Sequence, residues 1–329
     1  MADRPRLIDV AQRAGVSIAT ASQAFTGHRP VSARTKAAVL KAAFDLGFVA
    51  DSGARGCAVG MLIRPPEAIP GFGTGPDAFS TISGAVLISL LAAGYSVTSF
   101  RSLDDIGQQV GRLDAFVLLH PNRSDEVLRA LVARGIPTVA YDQDPGDADF
   151  RWWVGPNYRR SMGALLAHVR ERGARRPSLV IGSTENMYTT AMLAEYIEDA
   201  RRVGSPVLVR EVDPQSSRDG GRAAVASLLR LPERPDAVVT SSGVFAAGAV
   251  DAVRAAGLRC PEDVLIATMT DGVVAARSEP PITAMRHDIQ TTARLVTELL
   301  QARLRNEVAP QRRGAELELI VRASTTLGR

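Results

Sequence analysis

Hydroxyl, amide and guanidinium side chains lie close together between residues 17 and 35 of this 329-residue chain. Hydroxyl and guanidinium groups bind phosphate oxygens, and a glutamine amide can pair with the edge of a base. The candidate residues are Ser17, Thr20, Ser22, Gln23, Arg29, Ser32, Arg34 and Thr35. We add two apolar residues of the same segment, Ile18 and Ala19, and one later arginine, Arg55. Their types favour contact with a nucleic acid.

The charge of the chain is concentrated in the same region. The whole chain has 39 basic and 35 acidic residues, a net charge of +4. Residues 1–60 contain eight basic and four acidic residues, so all of the excess positive charge lies in this segment. A nucleic-acid-binding head attached to a neutral body would have this distribution. A solvated basic surface without a partner would have it too.

The spacing of apolar residues favours the first interpretation. The sets that recur at helical spacing are Leu7, Val10, Ala11 and Ala14, then Ala21, Ala24 and Phe25, then Val39, Ala43 and Leu46. Each set predicts one face of a short helix. Gly15 can end the first helix, and Ser17 and Ser32 can cap the next two. Three short helices with a tight glycine turn between the first two are typical of a helix-turn-helix unit.

The predicted second helix presents an outer face to a partner. The residues that project away from its apolar side are Ile18, Ala19, Ser22 and Gln23, and we expect them to reach base edges. The hydroxyls expected to hold phosphates are those of Ser17, Thr20, Ser32 and Thr35, with added charge from Arg29 and Arg34. Ser17 and Ser32 can also act as simple helix caps, and the two roles are compatible.

The rest of the chain alternates between strand-like and helix-like segments. The strand-like runs are residues 59–63, 95–100, 115–119 and 138–141, followed by 178–181, 207–212, 237–240 and 264–267. Helical stretches such as residues 80–93 and 125–134 separate them. Strands that alternate with helices predict parallel sheets, and two successive sets predict two α/β subdomains. Small ligands of such folds bind at the carboxyl ends of the strands.

Several motifs carry a resemblance to a known family. In the head they include Asp9-Val10-Ala11, Ala14-Gly15-Val16-Ser17, Val31-Ser32 and Leu46-Gly47, and in the body Pro261-Glu262-Asp263-Val264, Pro280-Pro281-Ile282-Thr283 and Arg322-Ala323-Ser324-Thr325. Together they resemble the lactose-repressor (LacI/GalR) family over essentially the whole chain. The resemblance implies an all-α helix-turn-helix head and a periplasmic-binding-protein-like body of two doubly wound parallel-sheet subdomains.

The resemblance also implies a division of labour. Residues 1–47 would bind DNA, residues 48–58 would form a shortened hinge, and residues 59–329 would bind an effector and dimerise. The N-subdomain would comprise about 59–153 plus 285–308, and the C-subdomain about 154–284 plus 309–329. The expected protein is a cytoplasmic repressor that binds a palindromic operator as a homodimer, with a small-molecule effector between its subdomains and no cofactor or metal.

The expected effector pocket departs from the family pattern. Sugar-binding members use an arginine, an Asn-Asp pair and an aspartate, and spacing places Met192, Ser242-Gly243 and Thr270 at those positions. The aromatic and imidazole side chains expected near the cleft are Phe72, Phe79, His120, Tyr141, Trp152, Trp153 and Tyr188. We therefore expect a less polar or aromatic effector. Two alternatives remain open, namely loss of small-molecule control and a purely structural role for these aromatic residues.

Other classes of protein fit the sequence less well. Both lysines, Lys36 and Lys41, lie in the head, so the body lacks a lysine for Schiff-base or phosphate-loop chemistry. The four histidines are scattered, and Cys57 and Cys260 lie too far apart in sequence to suggest a zinc site. The sequence has neither an 18-residue apolar run nor a secretory signal. An enzyme is therefore not expected, and an exported solute-binding protein would not need the basic head.

The linker after the head generates a first prediction. Members of the family wedge a hinge-helix leucine into the minor groove, which kinks the operator. Here the linker between Gly47 and Val59 is about six residues short of that pattern, contains Gly53 and Gly56, and has no leucine. Arg55 could enter a narrow minor groove instead, or lie exposed. We predict a nearly straight operator in circular-permutation gel shifts. A sharp central kink that disappears when residues 50–57 are shortened would contradict this.

Overall fold

The computed structural model of the chain describes residues 6–26, 31–46, 57–62, 78–100, 112–308 and 314–326. The described residues belong to two compact units, the N-terminal helices and the α/β body. Several residues singled out from the sequence, namely Arg29, Arg55 and Phe72, lie outside the described residues, as do residues 47–56 of the linker. Phe79 lies in a described helix, but its side chain lies outside the description.

The head is built from three helices in its described segments. They are α1 (Leu7–Ala14), α2 (Ile18–Thr26) and α3 (Ala33–Leu46). Their shared core consists of small and branched side chains, with Val10, Ala11, Ala21, Ala24, Val39, Ala42 and Ala43 buried. Gly15 ends α1 with a φ of +66°, a left-handed conformation that glycine adopts without strain. The chain can therefore turn sharply into α2, as the sequence predicts.

The body begins with a five-stranded sheet. Its elements are β1 (Ala58–Leu62), α4 (Ala78–Ala92), β2 (Ser96–Phe100), β3 (Ala115–Leu119), α5 (Glu126–Ala133), β4 (Thr138–Tyr141) and β5 (Trp153–Val154). The strand order is β2-β1-β3-β4-β5, and the β1–β3, β3–β4 and β4–β5 pairs are parallel. Strand β3 is buried along its whole length, which explains its continuous run of apolar residues.

A six-stranded sheet forms the other half of the body. Its elements are α6 (Tyr158–Glu171), β6 (Pro177–Gly182), α7 (Met187–Val203), β7 (Val209–Val212), α8 (Ser217–Leu229), β8 (Ala237–Thr240), α9 (Gly243–Ala255), β9 (Leu265–Thr268), α10 (Val273–Arg277), β10 (Thr283–Arg286) and β11 (Glu318–Ile320). The order is β11-β10-β9-β8-β6-β7, with β11 antiparallel to β10. We call the β1–β5 sheet and its helices the first half, and the β6–β11 sheet and its helices the second half.

The described chain passes between the two halves at three places. It leaves the first half after β5 and returns after β10 as α11 (Ile289–Leu304), which packs against α4 and β4. It then re-enters the second half as β11. This path and the two parallel-dominated sheets confirm the predicted fold class. The residue boundaries of the subdomains stay a prediction. Among the described helices, none is both long and apolar enough to span a membrane.

Close backbone packing joins α8 and α9 in the second half. A methyl group on Gly221 of α8 would lie 2.6 Å from the Cα atom and 2.7 Å from the carbonyl oxygen of Phe245 on α9. Gly248 faces the backbone of α8 in the same way. Because neither backbone can move without shifting its helix, both positions require glycine.

Replacement of Gly221 by alanine tests this packing. We expect the free energy of unfolding to fall by about 1–3 kcal/mol, the usual cost of adding a methylene to a tightly packed core. Gly84 on α4 provides a matched control because a Cβ atom there would meet nothing within 4 Å. Gly84→Ala should raise the free energy of unfolding by about 0.5–1 kcal/mol through helix propensity. Urea denaturation measures both, and equal effects at the two sites would refute the packing argument.

Candidate functional site

The carboxyl ends of the two sheets border one cavity in the body. His120 follows β3, Ser241 and Ser242 follow β8, Thr270 follows β9, and His287 follows β10. Because the carboxyl ends of parallel strands meet at one edge of a sheet, these residues come together although they are far apart in sequence. The cavity has a volume of about 330 Å³, which lies in the range of small-molecule sites.

The wall of the cavity is largely apolar and aromatic. Its described apolar and aromatic members include Ile82, Tyr141, Tyr158, Tyr188, Val244, Met269, Met285, Ile289 and Leu317. The rings of Tyr158 and Tyr188 meet edge to face, with centroids 5.0 Å apart. Such a wall favours a ligand with a substantial apolar surface.

A buried carboxylate lies where the chain first passes between the halves. Asp142, directly after β4, has a φ of +76° and is almost fully buried. His120 Nδ1 lies 2.6 Å from Asp142 Oδ2, and the Tyr158 hydroxyl donates to both carboxylate oxygens at 3.0 Å. A Cβ atom on Gly155 would overlap Asp142 Oδ1. We call Asp142, His120 and Tyr158 the junction cluster, since it joins the first half to the second.

The tyrosine hydroxyls around the junction cluster remain protonated. Burial raises the pKa of Tyr141 and of Tyr158 well above the ordinary value, and the nearby Asp142 charge raises both pKa values further. Burial likewise raises the pKa of Tyr188, whose hydroxyl donates to the Ser241 carbonyl oxygen and lies 3.0 Å from Thr270 Oγ1. These hydroxyls can therefore donate hydrogen bonds at all physiological pH values.

His287 connects the junction to α11. Its Nε2 atom lies 3.3 Å from the Tyr141 hydroxyl and 2.7 Å from Thr292 Oγ1. Burial lowers the pKa of His287 to about 4, although the Asp142 charge opposes this shift. The imidazole is therefore neutral near pH 7, and it holds the second passage of the chain by hydrogen bonds rather than by charge.

The charged side chains on the described wall are Asp271 and Arg286, and each forms an ion pair within the protein. Asp271 receives two hydrogen bonds from the Arg322 guanidinium, at 2.8 and 3.0 Å. Arg286 donates to Glu318 at 2.7 Å. The described residues contain no group of three or more His, Cys, Asp or Glu side chains that could hold a metal ion. The wall is therefore suited to an uncharged ligand.

Two loops pair across the rim of the cavity. The backbones of Asn122 in the first half and Asn186 in the second form an isolated antiparallel bridge. The Arg123 amide donates to the Glu185 carbonyl oxygen at 2.7 Å, and Arg123 Nε donates to Glu185 Oε2 at 2.9 Å. We call these four residues the rim bridge. Because its ion pair is exposed, the backbone contacts contribute most of its stability.

The structure brings several of the predicted effector residues to this cavity and excludes others. Those on its wall are His120, Tyr141, Tyr188, Ser242 and Thr270. Met192 is not on the wall, since it is fully buried in the core between α6 and α7. Trp152 and Trp153 pack against the core of the first half, and the Arg303 guanidinium lies 4.9 Å from the Trp152 ring centre. These corrections follow from apolar burial, which spacing alone does not reveal.

Among the wall residues that sequence reasoning missed are Asn122, Tyr158, Asn186 and His287. Asn122 and Asn186 follow the carboxyl ends of β3 and β6 by three and four residues. Tyr158 and His287 flank the passages between the halves. The positions of the predicted strand ends are the signal that could have found them.

The head presents the expected outer face on α2. Ile18 is 48% exposed and Ala19 is exposed, whereas Ser22 and Gln23 are half-buried. Ser17 Oγ accepts from the Thr20 amide at 3.1 Å, and Ser32 Oγ accepts from the Thr35 amide at the same distance. Each serine therefore caps a helix while its exposed side remains accessible. Arg34 is also exposed.

The lowered pKa of His287 predicts a pH dependence of stability. A histidine that stays neutral in the folded state, while its unfolded pKa is about 6.5, contributes full stability above pH 6.5. That contribution is lost as the pH falls from 6.5 towards 4, to a total of about 3 kcal/mol. Urea denaturation at a series of pH values should show that His287→Gln flattens the slope in this interval. A slope that His287→Gln leaves unchanged would contradict a neutral His287. The same measurement on His168→Gln tests the other described histidine whose pKa is lowered by burial.

Comparisons with known proteins agree with this architecture. The model of the lacI family of bacterial regulatory proteins matches residues 6–51, and that of the periplasmic binding protein-like domain matches residues 166–325. The HTH-type transcriptional regulator reg1 of Streptomyces lividans is 27% identical, over 97% of this chain and 96% of the relative.

Two solved structures are similar to the whole chain. The transcriptional regulator CelR–cellobiose complex has a TM-score of 0.69 and 27% identity, and covers 98% of this chain and 100% of that one. The lac repressor dimer bound to operator and the anti-inducer ONPF has a TM-score of 0.80 over 99% of this chain and 100% of that one, and its 20% identity shows the fold alone. The chain thus combines a DNA-binding domain of the lacI family of bacterial regulatory proteins with a periplasmic binding protein-like domain. The curated proteins that it resembles over nearly their whole length are HTH-type transcriptional regulators rather than enzymes.

Proposed function

We propose that this regulator is a cytoplasmic repressor that binds a palindromic operator as a homodimer, under the control of a small molecule in the cavity of its body. The observation that carries the proposal is the outer face of α2. This face presents exposed Ile18 and Ala19 together with half-buried Ser22 and Gln23. A serine caps the start of α2 and another caps the start of α3, and this end of the chain holds the excess positive charge. Helix N-termini and basic residues attract phosphates, and short side chains allow a helix to approach base edges closely.

Each group of head residues has a separate task in this proposal. The residues that contact bases are Ile18, Ala19, Ser22 and Gln23. The residues that hold phosphates are Ser17, Thr20, Ser32 and Thr35, with Arg29 and Arg34 supplying charge and Arg55 reaching the minor groove. A glutamine at position 23 pairs with adenine, where the arginine frequent in the family would select guanine.

Dimerisation is proposed because one head reads only one half-site. Two heads related by two-fold symmetry read a palindrome and multiply the weak affinity of each. In the body, α4 buries Ile82, Val86 and Leu90 and exposes Ile88 and Leu91, which are 68% and 51% accessible. Large exposed apolar side chains on one helix fit contact with a second copy of the body.

The effector is proposed to be neutral and less polar than a sugar. The wall has three tyrosine rings, and its fully charged groups are paired within the described protein. The similar CelR structure contains cellobiose, but the positions that the resemblance assigns to sugar anchors hold Met192, Ser242-Gly243 and Thr270 here. A chain without those anchors requires a ligand that binds mainly through apolar contact.

A regulator without small-molecule control is the second candidate. The observation that favours it is that most polar wall groups form hydrogen bonds within the protein. A cleft whose hydrogen bonds are satisfied in this way can close without a ligand. A solute-binding protein without a DNA function is less well supported, since it leaves the head unexplained.

Selection of bound sequences from a random DNA library tests the proposal directly. The full-length chain should enrich an inverted repeat with two equal half-sites, and sedimentation should show a dimer on it. The affinity should fall steeply as salt rises, because basic side chains displace counterions from phosphates. Failure to enrich any sequence would overturn operator binding. A thermal-shift screen of neutral metabolites then tests the effector, since a ligand that binds the folded state raises its melting temperature.

Two substitutions in the head separate base recognition from phosphate binding. Gln23→Ala should relax the preference at one base pair in each half-site, by about 1–3 kcal/mol per base, and leave binding to random DNA unchanged. Arg34→Ala should weaken binding to all sequences alike. Gln12, an exposed amide on α1, provides the control, and Gln12→Ala should change neither property. Anisotropy titrations measure all three, and equal losses on operator and random DNA for Gln23→Ala would refute base contact.

A further inference from the structure

The polar side chains on the cavity wall differ in whether they already form hydrogen bonds within the protein. Nearly all of them make hydrogen bonds within the chain. Ser241 Oγ accepts from the Gly182 amide, Ser242 Oγ from the Phe245 amide, and Asn186 Oδ1 from the Thr189 amide. The tyrosines, histidines and charged groups are paired as described above. A group that already makes a hydrogen bond within the protein has less of its capacity left for a ligand.

Asn122 is the exception among the described wall residues. Its backbone amide donates to Asp125 Oδ2 at 3.0 Å and its backbone joins the rim bridge. Its side-chain carboxamide makes no hydrogen bond to any described residue. Asn122 as a residue is only partly exposed and borders the cavity. A carboxamide has two N–H donors and one acceptor oxygen, so this group retains its full capacity for a molecule in the cavity.

The backbone around Asn122 is held from both halves of the body. On one side, the amides of Ser124 and Asp125 donate to the buried Asp144 carboxylate, both at 2.7 Å. On the other side, the adjacent Arg123 is held by Glu185 of the second half through the rim bridge. The backbone position from which the carboxamide projects is therefore fixed beside the cavity, which lowers the entropy lost on binding. Only the side-chain torsions of Asn122 remain for a ligand to order.

We propose that the Asn122 carboxamide is the specificity-determining contact of this cavity, and that it recognises a neutral ring with an N–H donor beside a C=O acceptor, as in a cyclic amide. This inference rests on the proposed effector function. A carboxamide forms two parallel hydrogen bonds with such an edge, as Asn does with adenine. The remainder of the ring packs against the tyrosine and methionine side chains of the wall. Vicinal hydroxyls of a sugar offer the same donor and acceptor, but they lack the apolar surface that this wall covers.

Matched pairs of small rings test the proposal on the full-length chain. The first pair is δ-valerolactam and cyclohexanone, which differ by an N–H in place of a methylene, and the second is uracil and 1,3-dimethyluracil. Cellobiose represents the sugar alternative. Thermal shift and calorimetry should show that δ-valerolactam and uracil bind at least tenfold more tightly than their partners. Asn122→Leu should abolish this discrimination. Gln290→Leu removes an exposed amide outside this cavity and should preserve the discrimination.

A change of specificity excludes a merely structural role for Asn122. Asn122→Asp replaces the donor by an acceptor, so it should reverse the preference towards 2-iminopiperidine, the amidine counterpart of δ-valerolactam with two donors and a positive charge. Asn122→Ala provides a second deletion if the leucine variant does not fold. Discrimination that persists in the leucine or alanine variant, or binding of cellobiose but not of either cyclic amide, would overturn the proposal. Equal binding of both members of each pair would remove this role from Asn122 and leave the cavity as an effector site. A wider screen without any stabilising compound would refute the effector function itself.

Discussion

The buried carboxylate of Asp142 must be satisfied by hydrogen-bond donors, and this requirement organises the body. A carboxylate removed from water without partners is strongly destabilising. Its partners come from two directions, since His120 belongs to the first half and Tyr158 follows the passage into the second. The absence of a side chain at Gly155 allows the chain to pass close enough for both contacts. The halves are thereby joined beside the carboxyl ends of their strands, which is where the cavity forms.

The last described residues also support the cavity, through contacts with the second sheet. Ser324 accepts from the Thr283 amide and donates to the Ile266 carbonyl oxygen, which attaches the C-terminal segment to the second sheet. Arg322, in the same segment, neutralises Asp271 on the cavity wall. The motif from Arg322 to Thr325 thus contributes to the polarity of the site without bordering the cavity. The segment from Arg322 to Thr325 is therefore a positioning element for the wall.

Periodicity predicted the fold because burial imposes a period on the sequence. Strand β3 is apolar throughout and α1 repeats at helical spacing, so both could be recognised without a structure. The cavity could be predicted only in part. His120 and Thr270 follow predicted strand ends, whereas Met192 is placed at a site position by spacing and lies in the core. The free carboxamide of Asn122 could not be predicted, because it depends on which neighbours pair with one another in three dimensions.

The head and the cavity work together in regulation only if ligand binding in the cavity changes the affinity of the head for DNA. A ligand that contacts both halves stabilises their closed arrangement, and it shifts operator affinity by the difference in its affinity for the DNA-bound and free forms. The most direct measurement is a titration of the selected operator with full-length protein, in the absence of the compound that raises the melting temperature and at its saturation. Our account predicts a change in operator affinity of about fivefold, the low end of usual coupling energies because the linker contains two glycines and no leucine. An operator affinity that stays constant at full occupancy of the cavity would contradict control by a small molecule.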